Sequence, residues 1–66
     1  NFGYCSFTIL DKSIYFIINN NNAEHKITLP EKLRESRKIN IETNESLTQQ
    51  ESVILGAYEY IIIKEL

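Results

Sequence analysis

Apolar and polar positions alternate with a period of two over most of this chain. Residues 4–10 set Cys5, Phe7 and Ile9 on one side and Ser6 and Thr8 on the other, the pattern of a half-buried strand. Asp11-Lys12-Ser13 reads as a turn, because an aspartate can bond its own backbone two residues on. Residues 14–19 give a second strand, so the pair predicts a hairpin. In this strand Ile14, Phe16 and Ile18 share one face while Tyr15 and Ile17 share the other. Neither face is polar.

Asn19-Asn20-Asn21-Asn22 predicts a loop tip, since asparagine tolerates left-handed backbone and favours turns. Residues 25–29 form a third strand with His25, Ile27 and Leu29 on one face, and Pro30 ends it by removing a ladder donor. Residues 31–38 are charged, with Leu33 the only large apolar side chain, and read as a long connection. Residues 39–43 alternate again and predict a strand with Ile39 and Ile41 inward. A polar loop over 44–51 is anchored by Leu47. Residues 53–55 are a short strand, Gly56 is a bend or bulge, and residues 57–64 are the closing strand. The expected fold is all-β: an antiparallel sandwich of Greek-key type, about six strands with no significant helix.

The closing strand repeats the difficulty of residues 14–19, because it too is apolar on both faces. The expectation is that Tyr58, Tyr60 and Ile62 fill this domain's own core. Tyr15, Ile17, Ile61 and Ile63 would then form an apolar face that needs cover from elsewhere. These four are the candidate domain-docking residues.

Composition narrows the picture. Sixty-six residues allow one domain, and a chain of this size buries only about 60% of its unfolded surface. A net charge of −2 supplies no basic face for nucleic acid. Lys32, Arg34, Arg37 and Lys38 are diluted by Glu31 and Glu35, and read as a solvated loop. No apolar run approaches the ~18 residues of a membrane span. The absence of methionine marks the chain as an expected fragment of a larger protein.

Candidate chemistry is sparse. One cysteine and one histidine are too few for a Cys/His zinc site. Cys5, flanked by Tyr4, Ser6 and Phe7, reads as a small core residue, and His25 as a strand-edge residue. Gly3 and Gly56 are the only glycines, so no phosphate-cradling loop exists. Glu42 with Glu45, or Glu59 with Glu65, could pair as carboxylates, but acid catalysis needs an enclosing site that raises a pKa. No catalytic, cofactor-binding or metal-ligating residue is expected. Phe2, Tyr4, Tyr15, Tyr58 and Tyr60 are numerous for so small a domain, and exposed aromatics of this kind can stack on sugar rings.

Ser13-Ile-Tyr-Phe-Ile-Ile-Asn-Asn-Asn-Asn22 resembles the strand-then-asparagine segment that opens the carboxyl-terminal β-domain of the α-amylase superfamily of glycosidases (glycoside hydrolase family 13). His25-Lys-Ile-Thr-Leu-Pro30 is similar to that domain's next element, a strand closed by Leu-Pro. Ile39-Asn-Ile-Glu-Thr-Asn44 resembles the following strand in the oligo-1,6-glucosidase and α-glucosidase branch. Val53-Ile-Leu-Gly-Ala-Tyr-Glu-Tyr-Ile-Ile-Ile-Lys-Glu-Leu66 resembles the terminal signature, in which Ala57 replaces the family's usual proline.

The resemblance runs in order from Ser13 onward. It implies a non-catalytic accessory domain that packs against and stabilises a (β/α)₈ catalytic barrel of the same parent chain. Such barrels hydrolyse or transfer α-glucosidic bonds with carboxylates that have no counterpart in this sequence. The alternative it leaves open is a carbohydrate-binding module that contacts α-glucan through surface tyrosines.

Overall fold

A computed structural model describes residues 5–66. The expected contributions of Phe2 and Tyr4 lie outside the described residues. The all-β expectation holds: among the described residues, six strands form two antiparallel sheets, with one short helical turn between β3 and β4. The larger sheet contains β1 (Cys5–Asp11), β2 (Ile14–Asn19), β4 (Lys38–Asn40) and β6 (Tyr60–Glu65), in the order β1-β2-β6-β4. The smaller sheet pairs β3 (His25–Thr28) with β5 (Ser52–Leu55).

The predicted hairpin forms β1 and β2, with the Lys12 amide donating to Asp11 Oδ1 at 2.7 Å in the turn. The register is interrupted between Ile9 and Asp11. From β2 the chain crosses to the small sheet, returns at the far edge as β4 and crosses again as β5. It then closes by inserting β6 between β2 and β4. β6 is thus central in the large sheet, with β2 and β4 on either side; the small sheet covers one of its faces, and the other is left half-buried.

The facing of the central strands is the reverse of the sequence expectation. Tyr15, Ile17, Ile61 and Ile63, expected to form a docking face, are 2%, 1%, 9% and 0% exposed and belong to this domain's own core. Register fixes the set together, since Tyr15 lies opposite Ile63 and Ile17 opposite Ile61, and opposed residues share a face. The small sheet covers them with Val53 and Leu55, while Ile27 packs at the margin. Ile62 is half-buried and Tyr60 exposed on the outer face, where the Tyr60 ring stacks on Phe16 at 5.4 Å.

The same reversal occurs in β4. Ile39 and Ile41 were expected inward, but Lys38 and Asn40 lie opposite Glu65 and Ile63, on the inner side. Ile39 is half-buried opposite Lys64, and Ile41 is exposed. Lys38 is tolerated inside because Nζ donates to the carbonyls of Arg34 and Ser36 at 3.3 and 3.2 Å. Burial of its stem still opposes the charge and lowers its pKa from 10.5, with Glu65 acting weakly in the other direction. A buried charge persists where it finds acceptors of this kind.

The connection after β3 contains α1 (Glu31–Arg34), a turn too short to contradict the expectation of no significant helix. Its cause is local. Leu29 and Leu33 are both fully buried, so the chain must fold back within four residues, and Leu33 N donates to Pro30 O at 2.8 Å. Leu47 is buried as expected and anchors the long loop before β5. Cys5 departs from expectation: it is exposed, not a core residue.

Candidate functional site

With the predicted docking residues inside the core, the uncovered apolar surface lies on a different strand. Cys5, Phe7 and Ile9 stand opposite Asn19, Ile17 and Tyr15, so they point to the inner side of the large sheet. The two-stranded sheet is too narrow to cover them. Phe7 remains 41% exposed and Ile9 60% exposed, although the Phe7 ring stacks on Tyr15 with centroids 5.5 Å apart. β1 is also an edge strand.

Beneath this overhang is a cleft of about 360 Å³, lined by Phe7, Ile17, Ile27, Leu29 and Pro30, with Arg34 at its rim. The lining is mainly apolar. Arg34 is held there by its Nε, which donates to Leu29 O at 2.8 Å. The sandwich therefore closes tightly at β2 and β6 and opens along β1. Alternation in residues 4–10 had correctly grouped Cys5, Phe7 and Ile9; what it could not supply was the width of the opposing layer.

A second feature links three segments through one side chain. Asn19, fully buried at the end of β2, donates from Nδ2 to the carbonyls of Ala23, Leu55 and Gly56 at 2.9, 3.0 and 2.9 Å. Its Oδ1 accepts from Asn21 N at 3.0 Å and Asn21 Nδ2 at 2.6 Å. The asparagine loop, the end of β5 and the corner before β6 are thereby fastened to each other. Asn19 follows Tyr15 and Ile17 at spacing two, so a polar residue in phase with a core stripe was the available signal.

That corner carries an unusual backbone. Tyr58 has φ 57, a left-handed conformation that is uncommon for a bulky residue. Its amide donates to Asn21 O at 3.1 Å, and its side chain is 63% exposed. The preceding Gly56 amide donates to Glu59 Oε1 at 2.6 Å, which ties the corner internally. Tyr58, with Asn20, Asn21, Asn22, Ala23 and His25, lines a small polar cleft of about 210 Å³.

The exposed tyrosines do not form one platform. Tyr60 lies against Phe16 on the outer face, and its hydroxyl donates to Glu42 Oε2 at 3.1 Å. That bond, reinforced by the Glu42 charge, holds the Tyr60 phenol above its ordinary 10.0. Tyr15 is internal; its hydroxyl reaches Glu65 Oε1 at 3.2 Å at the sheet margin. Lys32 Nζ stands 5.8 Å from the Tyr15 ring centroid. Hydrogen bonding to Tyr15, then the charges of Tyr15 and Glu65, raises the Lys32 pKa from 10.5.

Among the described residues, no three His, Cys, Asp or Glu side chains come together as a metal-binding group. Glu42 and Glu45, like Glu59, are exposed, and Glu65 is half-buried beside Tyr15. In comparisons with protein-family models, curated proteins and solved structures, nothing matches this chain.

Proposed function

We propose that this chain is a non-catalytic accessory β-domain that docks onto a larger folded unit through the inner side of β1. One observation carries the reading: Phe7 and Ile9 stay exposed on the core side of the large sheet, and Phe7 lines an apolar cleft beside them that the small sheet leaves uncovered. Apolar surface in this position, continuous with the core and rimmed by polar residues, marks an interaction site. Its edge-strand backbone adds unpaired donors and acceptors that a partner can engage.

The partner we assign is the (β/α)₈ barrel of an α-amylase-superfamily glycosidase. This assignment rests on the ordered resemblance from Ser13 to Leu66, and the docking surface moves from the four core residues to Phe7, Ile9 and the cleft. The work of the domain is then structural, covering apolar barrel surface and stabilising the enzyme.

The test is an Ile9→Asp substitution made both in the isolated chain and in the parent polypeptide that this reading posits. Ile9 is largely solvent-facing here, so the isolated chain keeps its urea midpoint. In the parent, a charge buried in the interface lowers the melting temperature by several degrees, as expected for a loss of about 1–3 kcal/mol. An unchanged parent melting temperature would overturn the docking assignment. A parent without a (β/α)₈ domain would overturn the glycosidase assignment alone.

A further inference from the structure

We propose that the outer face of the four-stranded sheet is an interface for a second copy of this chain, packed face to face with its strands antiparallel to those of the first. This surface lies on the side of the large sheet away from the cleft under β1, and it does not depend on the glycosidase reading. An antiparallel sheet with one solvated face ordinarily turns polar residues outward. Here the outward residues of β2 are Ile14, Phe16 and Ile18, and register sets Ile62 opposite Phe16 and Tyr60 opposite Ile18. Ile39 extends the face across β4. Tyr60 is 47% exposed and the other five are half-buried. The small sheet packs on the opposite side, so among the described residues no second sheet lies over them. A contiguous apolar face of this kind marks an interaction surface.

The charges at its two ends identify the occupant. Lys64 stands at one end of β6, between Ile14 and Ile39, and its ammonium has no partner among the described residues. At the other end the Tyr60 hydroxyl donates to Glu42 Oε2 at 3.1 Å, which leaves Oε1 able to accept. Four residues separate Tyr60 from Lys64, a span of about 13 Å. A two-fold axis lying in the interface and crossing the strands at Ile62 exchanges these ends. It sets each Lys64 over the Tyr60–Glu42 pair of the second copy and packs Phe16 and Ile62 on their own counterparts. A two-fold axis along the strands would instead stack Lys64 on Lys64. The face is therefore complementary to itself in one orientation only, as a closed isologous dimer requires.

Geometry also sets the strength. Four strands at ~4.8 Å spacing, each giving about five residues, make a plane of roughly 19 by 17 Å. That is well below the roughly 800 Å² per partner of a standard stable interface. The dimer is accordingly weak and reversible, with two sheet faces aligned as in a β-sandwich.

The experiment is sedimentation equilibrium of the whole chain over a range of concentrations, with ¹H–¹⁵N spectra of the same samples. The average mass should rise from 7.7 kDa toward twice that value, and concentration-dependent shifts should centre on residues 14–18, 39–42 and 60–64. Lys64→Glu should weaken association by at least about tenfold, an energy change of about 1.4 kcal/mol. Adding Glu42→Lys to that variant exchanges the two charges and should restore association. Both positions are exposed, and an unchanged urea midpoint confirms that each variant folds. Ile9→Asp, on the other side of the sheet, should leave association as in wild type. A mass fixed at 7.7 kDa at every concentration would overturn the proposal and leave the face to a different molecule. Failure of the exchanged pair to restore association would overturn it too, and loss of association in Ile9→Asp would place the contact on β1 instead.

Discussion

Replacing Asn19 with leucine tests the polar keystone of this fold. The substitution keeps the branched shape and heavy-atom count of the side chain, though methyls are bulkier than the amide groups, and deletes five hydrogen bonds, to Ala23 O, Leu55 O, Gly56 O, Asn21 N and Asn21 Nδ2. Two of them, to Ala23 O and Gly56 O, are only partly buried, so water can replace the lost partner. The other three are buried. Each has a net worth of about 0.5–1.5 kcal/mol, and the groups left behind cost about 1–3 kcal/mol where water cannot reach them. Leucine's apolar gain offsets part of this. A net loss of about 3 kcal/mol is expected.

That loss is large for this chain. At roughly 0.05–0.15 kcal/mol per residue, its total stability is on the order of 3–10 kcal/mol. With a urea slope near 1 kcal/mol per molar for a small domain, the midpoint should fall by about 3 M. Equilibrium urea unfolding followed by far-UV circular dichroism reads this directly. Asn22→Ala, at an exposed position on the same loop, is the control and should stay within about 0.5 kcal/mol of wild type. A midpoint shift below about 1 M for Asn19→Leu would refute the keystone role. Asn19→Asp sharpens the test: its carboxyl would face three carbonyl oxygens, which raises its folded-state pKa above the unfolded value. The variant should therefore be most stable at acid pH and lose stability as pH rises through that folded value.

Three further outcomes are expected. Ile63→Ala, at a fully buried site, should cost about 2–5 kcal/mol in urea unfolding, while Ile62→Ala on the half-buried outer face should cost clearly less; equal losses would contradict the facing of β6. Because burial lowers the Lys38 pKa, its folded state binds fewer protons than the unfolded one, so this contribution to stability is present above the unfolded value of 10.5 and is lost as pH falls through the lowered folded value. Lys38→Met should lack that slope, so the wild-type-minus-variant difference in urea midpoint should itself rise with pH across that window, and a flat difference would refute the assignment. Glu42→Gln should bring the Tyr60 phenol back toward 10.0 by removing the charge and the hydrogen bond that raise it, read by NMR titration of the Tyr60 ring; an unmoved titration would show that Glu42 is not the cause.

The two candidate surfaces differed in how much of them could be read from sequence. Phe7 and Ile9 were visible as one side of an alternating strand, but their exposure depends on how far the β3–β5 layer reaches, a tertiary quantity. Tyr58 was visible only as one more aromatic residue. Its left-handed backbone arises from the corner that Asn19 and Glu59 tie down, and its partner loop lies far away in sequence. Asn20, Asn21 and Asn22 were recognisable as a loop tip because local chemistry favours turns there; that this loop faces Tyr58 required the fold.

The sequence by itself determined the class of structure. Period-two alternation, Pro30, the Asp11 turn and the asparagine tip are local signals, and they located the strands and the hairpin to within a few residues. It also determined the buried anchor Leu47, a lone large apolar residue in a polar loop, whereas the burial of Leu33 in a segment that read as a charged connection came from the fold. Only the tertiary structure decided which side of β2 and β6 is inside. A strand with isoleucines and aromatics on both faces carries no preference of its own, and a one-residue change of phase exchanges the two sides. The choice was made by register between distant strands, which sets Tyr15 against Ile63 and Ile17 against Ile61, and by the narrow sheet that covers them. In settling that, it moved the uncovered surface to β1.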